Sequence, residues 1–278
     1  MIIVVFRLGF LCWAPPFQSL ISRVKNMGRR IALSNGRRLV DDVIHFARKM
    51  PLGSYCRELD LSRLAKLRRQ STPRIGWNVL MMKAYALIAQ DNEILRSCYV
   101  RFPWPHIYID ERNVCLLTVA REHQEETRLL FARFNEPENI SLIELQEQYD
   151  HLRMAPVEEI KQYNHQIQFA RFPHSLRRLI WWTMFNWFPR KRVGNFGTYG
   201  MTLSGFGPTH ATGLLSPATT TLGIDPISRK GISRVVVTFD HRVLDGKPVI
   251  DLIDQFKQTL NDRIYEELAA NVKHSAAA

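Results

Sequence analysis

Apolar side chains recur at helical spacing through residues 37–50, where Leu39, Val43, Phe46 and Met50 share one face and Pro51 ends the run. Residues 54–61 alternate like a strand, and residues 61–69 predict a short helix with Leu64 and Leu67 inward. Residues 77–90 are apolar nearly all round, the pattern of a buried helix. Strands are predicted over 98–102, 106–110, 114–121 and 127–134. A helix over 140–153 follows, with Leu142, Leu145 and Tyr149 on one side. Strands over 195–203, 219–224 and 234–239 precede a closing helix over 247–268, which carries Pro248 in its first turn, where a missing N–H costs nothing. Helices and strands mix without strict βαβ alternation, so the expected class is α/β with a mixed sheet. No Gly/Ser- or Pro-rich linker divides the chain, and the expected organisation is an N-terminal extension (1–30), one domain (31–265) and a C-terminal tail (266–278).

The chemistry concentrates after the apolar run Val235–Phe239, in Asp240-His241-Arg242-Val243-Leu244-Asp245-Gly246. A histidine there stands at the end of a buried strand, which can hold an imidazole rigidly against a substrate channel, as a general base requires. His241-x-x-x-Asp245-Gly246 resembles the active-site motif of the chloramphenicol acetyltransferase-like superfamily. The fuller form resembles that of the acyltransferase components of 2-oxo acid dehydrogenase complexes. Gly197-Thr198-Tyr199-Gly200-Met201-Thr202 resembles that family's Gly-Thr-Phe-Thr-Ile-Ser/Thr strand, and Ser216-Pro217 and Leu222-Gly223 fall where it has Asn-Pro-Pro and Ile-Leu-Gly. His45 to Pro51 and Glu58 to Leu61 resemble the first helix and strand of the antibiotic acetyltransferases. The resemblance runs from about residue 35 to about residue 262.

This resemblance implies a chloramphenicol acetyltransferase-like two-layer sandwich that assembles as a homotrimer. It implies His241 as general base, acting on an acceptor that attacks the thioester of acyl-CoA directly. Asp245 is placed in a salt bridge with an arginine of the first helix, Arg38 or, nearly equally, Arg37. Thr202 is the oxyanion donor, with Ser204 in its place if the register shifts by two. His241 and Thr202 come from neighbouring subunits in the family. Beside each role stands a plainer one: a core histidine at a strand end, a helix-capping aspartate, a β-branched strand residue. No lipoyl or peripheral-subunit-binding domain is expected before residue 30, and the His-His form of the antibiotic enzymes is lacking. The expected acceptor is therefore a small hydroxyl, amine or thiol, with dihydrolipoamide and chloramphenicol both in doubt.

The formal net charge of +12 favours anionic partners, and coenzyme A is the one the resemblance supplies. No helix-turn-helix, RNA-binding or zinc-finger pattern points to nucleic acid. Cys12, Cys56, Cys98 and Cys115 form no CxxC and read as buried free thiols in a reducing, cytoplasmic setting. The remaining histidines lack metal-ligand spacing, so no metal is expected. Residues 1–14 are apolar but too short to span a bilayer. Residues 177–192 hold three of the six tryptophans between basic residues. That composition suits a membrane-surface element or the wall of a lipophilic pocket, or else an insertion packed on the trimer. Two further functions therefore stay open: a non-catalytic trimeric scaffold and a membrane-surface protein.

Overall fold

The computed structural model describes residues 32–123, 126–203 and 214–277. The body from Ser34 onward runs α1 (Asn35–Ala47), β1 (Leu52–Asp60), α2 (Ser62–Arg68), α3 (Trp77–Asp91), a hairpin of β2 (Ser97–Val100) and β3 (His106–Ile109), β4 (Val114–His123), β5 (Glu126–Asn135), α4 (Leu142–Met154), α5 (Lys161–Ala170), α6 (His174–Asn186), α7 (Pro189–Phe196), β6 (Tyr199–Leu203), β7 (Thr220–Ile224), β8 (Ile232–Asp240), α8 (Gly246–Asn261) and α9 (Arg263–Ala277). Six strands form one sheet in the order β1-β8-β7-β6-β4-β5. The pairs β6–β7 and β4–β6 are parallel and the other neighbours antiparallel, so the sheet is mixed, in line with the expected α/β class.

Strand alternation divides the sheet into two different faces. Cys115 and Leu117 of β4, Tyr199 of β6, Leu222 of β7 and Val237 and Phe239 of β8 point into the main core. There they meet α3, whose residues 79–89 are all buried, and the apolar stripe of α8. Lys83 sits inside this buried helix because its ammonium donates to the Ile140 carbonyl (2.7 Å) and to Glu267 (2.6 Å). Glu267 also accepts the amide of Leu142 at the start of α4, so the pair joins α3, α4 and α9.

On the opposite face, α1, α5 and α6 cover β4 and β5. Among the described residues the outer edge of β5 meets side chains rather than another strand. Gln166 accepts from the Phe131 amide (3.1 Å) and donates to its carbonyl (2.7 Å), while Gln162 accepts from the Arg133 amide (2.9 Å). These bonds occupy groups that would otherwise template a further strand.

The tryptophan-rich segment is helical and packs on α1. Arg177, 2% exposed, donates to Asp42, 0% exposed, at 2.7 Å, and Arg178 donates to Asp41 at 2.7 Å. Phe46 stacks on Trp181 and Phe185, and Trp181 meets Phe196 at 4.4 Å between centroids. Three expectations change. The strand expected from 195 begins at Tyr199, because Asn195 and Phe196 close α7. Gly197 then turns the chain at φ 74°, and a Cβ on it would lie 2.7 Å from the Val114 carbonyl. The closing helix breaks at Asp262 into α8 and α9. Ile264 and Leu268 of α9 are fully buried, so the expected domain–tail boundary at 265 falls inside a packed helix. Cys98 and Cys115 are buried as expected, whereas Cys56 on the edge strand β1 is exposed.

Candidate active site

His241 directly follows β8. Its amide donates to the Pro51 carbonyl (2.9 Å), extending the β1–β8 ladder by one bond. Its ring meets Phe239 edge-on at 4.6 Å and lies over Gly53, where a Cβ would stand 2.6 Å from Nε2 and 2.9 Å from Cδ2. The ring fits there because position 53 has no side chain, the close approach that a glycine within a strand often marks. The imidazole is exposed, and neither ring nitrogen has a hydrogen-bond partner among the described residues.

The turn that carries this ring is held by its neighbours. Asp240 is fully buried and accepts from Nε (2.9 Å), Nη2 (2.6 Å) and the backbone amide (3.0 Å) of Arg242. The Arg242 guanidinium covers the Tyr99 ring at 4.3 Å. The Asp240 carbonyl accepts the amides of Val243 and Leu244, and Leu244 anchors the loop in the core. Behind it Arg192, 3% exposed, donates to the carbonyls of Tyr99 and Pro217, both at 2.8 Å. Burial lowers the pKa of this guanidinium from its usual value.

Asp245 does not form the expected salt bridge. It is exposed at the N-cap of α8, with neither a side-chain capping bond nor an ion pair to Arg38 or Arg37. The reason is placement. Arg38 lies in the first turn of α1, nine residues before Ala47, or about 14 Å along the helix, whereas the contact to His241 comes from Pro51, beyond the helix end. The buried ion pair of α1 instead uses its acidic residue, Asp42, with Arg177.

Thr202 is half-buried in β6, paired with Gly223, which in turn faces Val236 of β8. It lines a cavity of about 540 Å³. Leu116, Thr118, Phe131, Gly200 and Thr221 form its floor, and Leu39, Val43, Phe169, Ile180, Trp181 and Met184 its roof. Trp181 of the tryptophan-rich segment thus serves as a pocket wall. Ser204 lies outside the described residues.

His241 and Thr202 are not brought together within one chain. Val236 precedes His241 by five residues, so the two are separated by roughly 17 Å along the strands. They also occupy opposite faces: the ring lies on the Phe239 side of β1, and Thr202 points into the cavity behind the main core. Gly53, Asp240 and Arg242 carry the geometry around His241; Asp240 and Arg242 stand in the motif but had no role assigned from sequence. The Asp-x-Arg bracket around the histidine was a readable signal for two of them. Gly53 offered only a glycine inside an alternating run.

No protein-family model matches the chain, and no curated protein sequence matches it either. Solved structures do. The dihydrolipoamide acetyltransferase of Azotobacter vinelandii superposes with a TM-score of 0.64 at 13% identity, covering 90% of this chain and 98% of that one. A truncated catalytic core of the 2-oxoacid dehydrogenase multienzyme complex from Thermoplasma acidophilum gives 0.62 at 14% identity, covering 84% and 99%. A probable dihydrolipoamide acetyltransferase from Listeria monocytogenes gives 0.60 at 13% identity, covering 84% and 94%. The chain therefore has the fold of the dihydrolipoamide acetyltransferase catalytic core.

Proposed function

We propose that this protein is an acyltransferase that moves an acyl group from acyl-CoA to a hydroxyl, thiol or amine acceptor, in a homotrimer whose sites are shared between subunits. One observation carries the reading: an exposed strand-end imidazole, held by the Pro51 carbonyl, Phe239 and the bare Gly53, with neither ring nitrogen hydrogen-bonded among the described residues. A neutral imidazole can accept a proton through its bare ring nitrogen. His241 then removes the acceptor's proton as the acceptor attacks the thioester carbonyl. The Thr202 hydroxyl of a neighbouring copy donates to the resulting oxyanion. Collapse breaks the C–S bond, and the departing CoA sulfur takes the proton back from His241. In the Azotobacter enzyme, catalytic roles have been investigated for a serine, a histidine and, four residues on, an asparagine. Thr202, His241 and Asp245 are the counterparts proposed for this chain. Asp245 would then act in the assembled site, since it has no partner among the described residues of a single chain.

The test is complementation. His241→Ala and Thr202→Val chains should each be inactive as pure proteins. Co-expressed, they should recover about a quarter of the wild-type rate, because each mixed trimer rebuilds one complete interface. No recovery in a verified mixed trimer would overturn the shared site.

A second reading, surface association, is favoured by the outer side of α6. Leu176, Leu179 and Trp182, with Trp187 and Phe188 beyond, are 40–58% exposed beside Arg171, Arg190 and Lys191. That combination suits an anionic membrane surface. Among the described residues no helix is long and apolar enough to cross a membrane. Co-sedimentation with phosphatidylserine vesicles should weaken on replacing Trp182 and Trp187. Trp181, being buried, is a control for folding and not a lipid contact.

A further inference from the structure

We infer that the cavity beside Thr202 accommodates a lipophilic, non-cationic group carrying one hydrogen-bonding function, an inference that rests on the acyl-transfer reading and names the substrate class of that site. The cavity's volume, about 540 Å³, lies within the ~300–1,000 Å³ of small-molecule sites. An acetyl group would leave most of it empty, and apolar walls without contact atoms forfeit dispersion attraction. Its roof comes largely from α1 and α6, held together by the buried Asp42–Arg177 pair and the Phe46–Trp181 stack, so this wall is braced while the cavity stays partly open.

The lining selects the chemistry. Among the described lining residues there is no Asp, Glu or Lys; the titratable groups are His165 and Arg133, whose guanidinium donates to the Gly194 carbonyl at 2.6 Å. No carboxylate there compensates a buried cation on a ligand, which excludes cationic groups. One polar spot stands out. Thr221 is 7% exposed, its Oγ1 has no hydrogen-bond partner, and it faces the cavity. A Cβ built on Gly200 would lie 2.9 Å from that oxygen and 3.1 Å from Ser216 Oγ, so both hydroxyls gather over the one residue of β6 that lacks a side chain. A buried hydroxyl left unpaired is costly, and a ligand group that bonds to it recovers that cost. The fitting ligand is therefore mostly hydrocarbon or aromatic, with a carbonyl, hydroxyl or amide N–H set against Thr221. It is either the acyl chain of the donor or the body of the acceptor.

The experiment titrates the intact protein with N-phenylnaphthylamine, a neutral lipophilic fluorophore, then with free CoA and with acyl-CoAs of increasing chain length. The fluorophore should bind saturably. Val43→Phe, which fills the cavity, should weaken it at least about tenfold. Thr221→Val, which keeps the shape and removes the hydroxyl, should weaken it roughly 3- to 10-fold. Free CoA should bind equally in all three proteins. Displacement of the fluorophore by acyl-CoAs, with affinity rising along the series, assigns the cavity to the acyl chain. Displacement by lipophilic alcohols, with acyl-CoA affinity flat, assigns it to the acceptor. If CoA binds but the fluorophore does not, or if neither variant changes its affinity, the inference is wrong and the acyl-transfer reading survives. Variant-sensitive fluorophore binding without any CoA binding would do the opposite, removing acyl transfer and leaving the lipophilic site.

Discussion

Replacing Gly53 with alanine places a methyl group 2.6 Å from Nε2 of His241 and 2.7 Å from Cζ of Phe239. Unstrained contacts between such atoms lie near 3.5–4.0 Å, so the imidazole, the phenyl ring or strand β1 must yield by about 1 Å. Phe239 is fully buried in the core and paired with Gly53 across the ladder, whereas the imidazole is exposed and bonded only through its backbone. The imidazole should therefore move most. Overpacking of this kind costs about 1–3 kcal/mol. Part of that cost exists only while the imidazole is present. In a His241→Ala background Gly53→Ala should be cheaper by roughly 1 kcal/mol, with the Phe239 clash remaining. Urea unfolding of the wild type, both single variants and the double variant measures this coupling without any knowledge of substrate. A ~1 Å displacement of the base should also lower turnover by about 10²-fold. Stability costs that add within about 0.3 kcal/mol, as for distant sites, would show that the ring does not rest on Gly53, and the site geometry above would be wrong.

Breaking the Asp42–Arg177 pair should be costly for the pocket roof. Asp42→Ala leaves a buried guanidinium unpaired and should cost about 3–5 kcal/mol, or roughly 6–20 °C in Tm by calorimetry; a loss near 1 °C would contradict the burial seen here. Stability should also fall with alkali in a defined window. Burial raises the Cys115 thiol from 9.0 to about 12. Above pH 9 the unfolded chain releases this proton first, so the contribution is complete below pH 9. It declines by up to ~1.4 kcal/mol per pH unit until the folded thiol itself titrates. Cys115→Ala should flatten the slope of urea stability between pH 9 and 11, and an unchanged slope would exclude the thiol as its source.

Several elements could be read from sequence because they depend on local pattern. Apolar positions three and four residues apart define the buried face of α1, the continuous apolar run of residues 77–90 marks a helix surrounded by core, and the short apolar strands give β7 and β8. The placement of His241 at a strand end was equally legible, since a buried strand followed by Asp-x-Arg and then Gly must stop there. The break of α8 from α9 and the helices α5 to α7 were not, because their faces become apolar or polar only with respect to the surfaces they cover. The single chain does not pair Arg38 with Asp245: an ion pair depends on three-dimensional distance, and sequence could not show that Asp42 would take α1's buried partner from α6.

What the sequence determined by itself was the composition of the candidate site and the α/β class, both written in residue type and short-range order. Only the tertiary structure decided which face each residue occupies. A strand's alternation is visible in sequence, but the side that meets α3 and the side that encloses the cavity are set by the packing of distant helices. That choice places Thr202 and His241 on opposite sides of one sheet. It also turns a basic, tryptophan-rich segment into a pocket wall, because burying Trp181 against Phe46 and Phe196 removes more apolar surface from water than leaving it exposed.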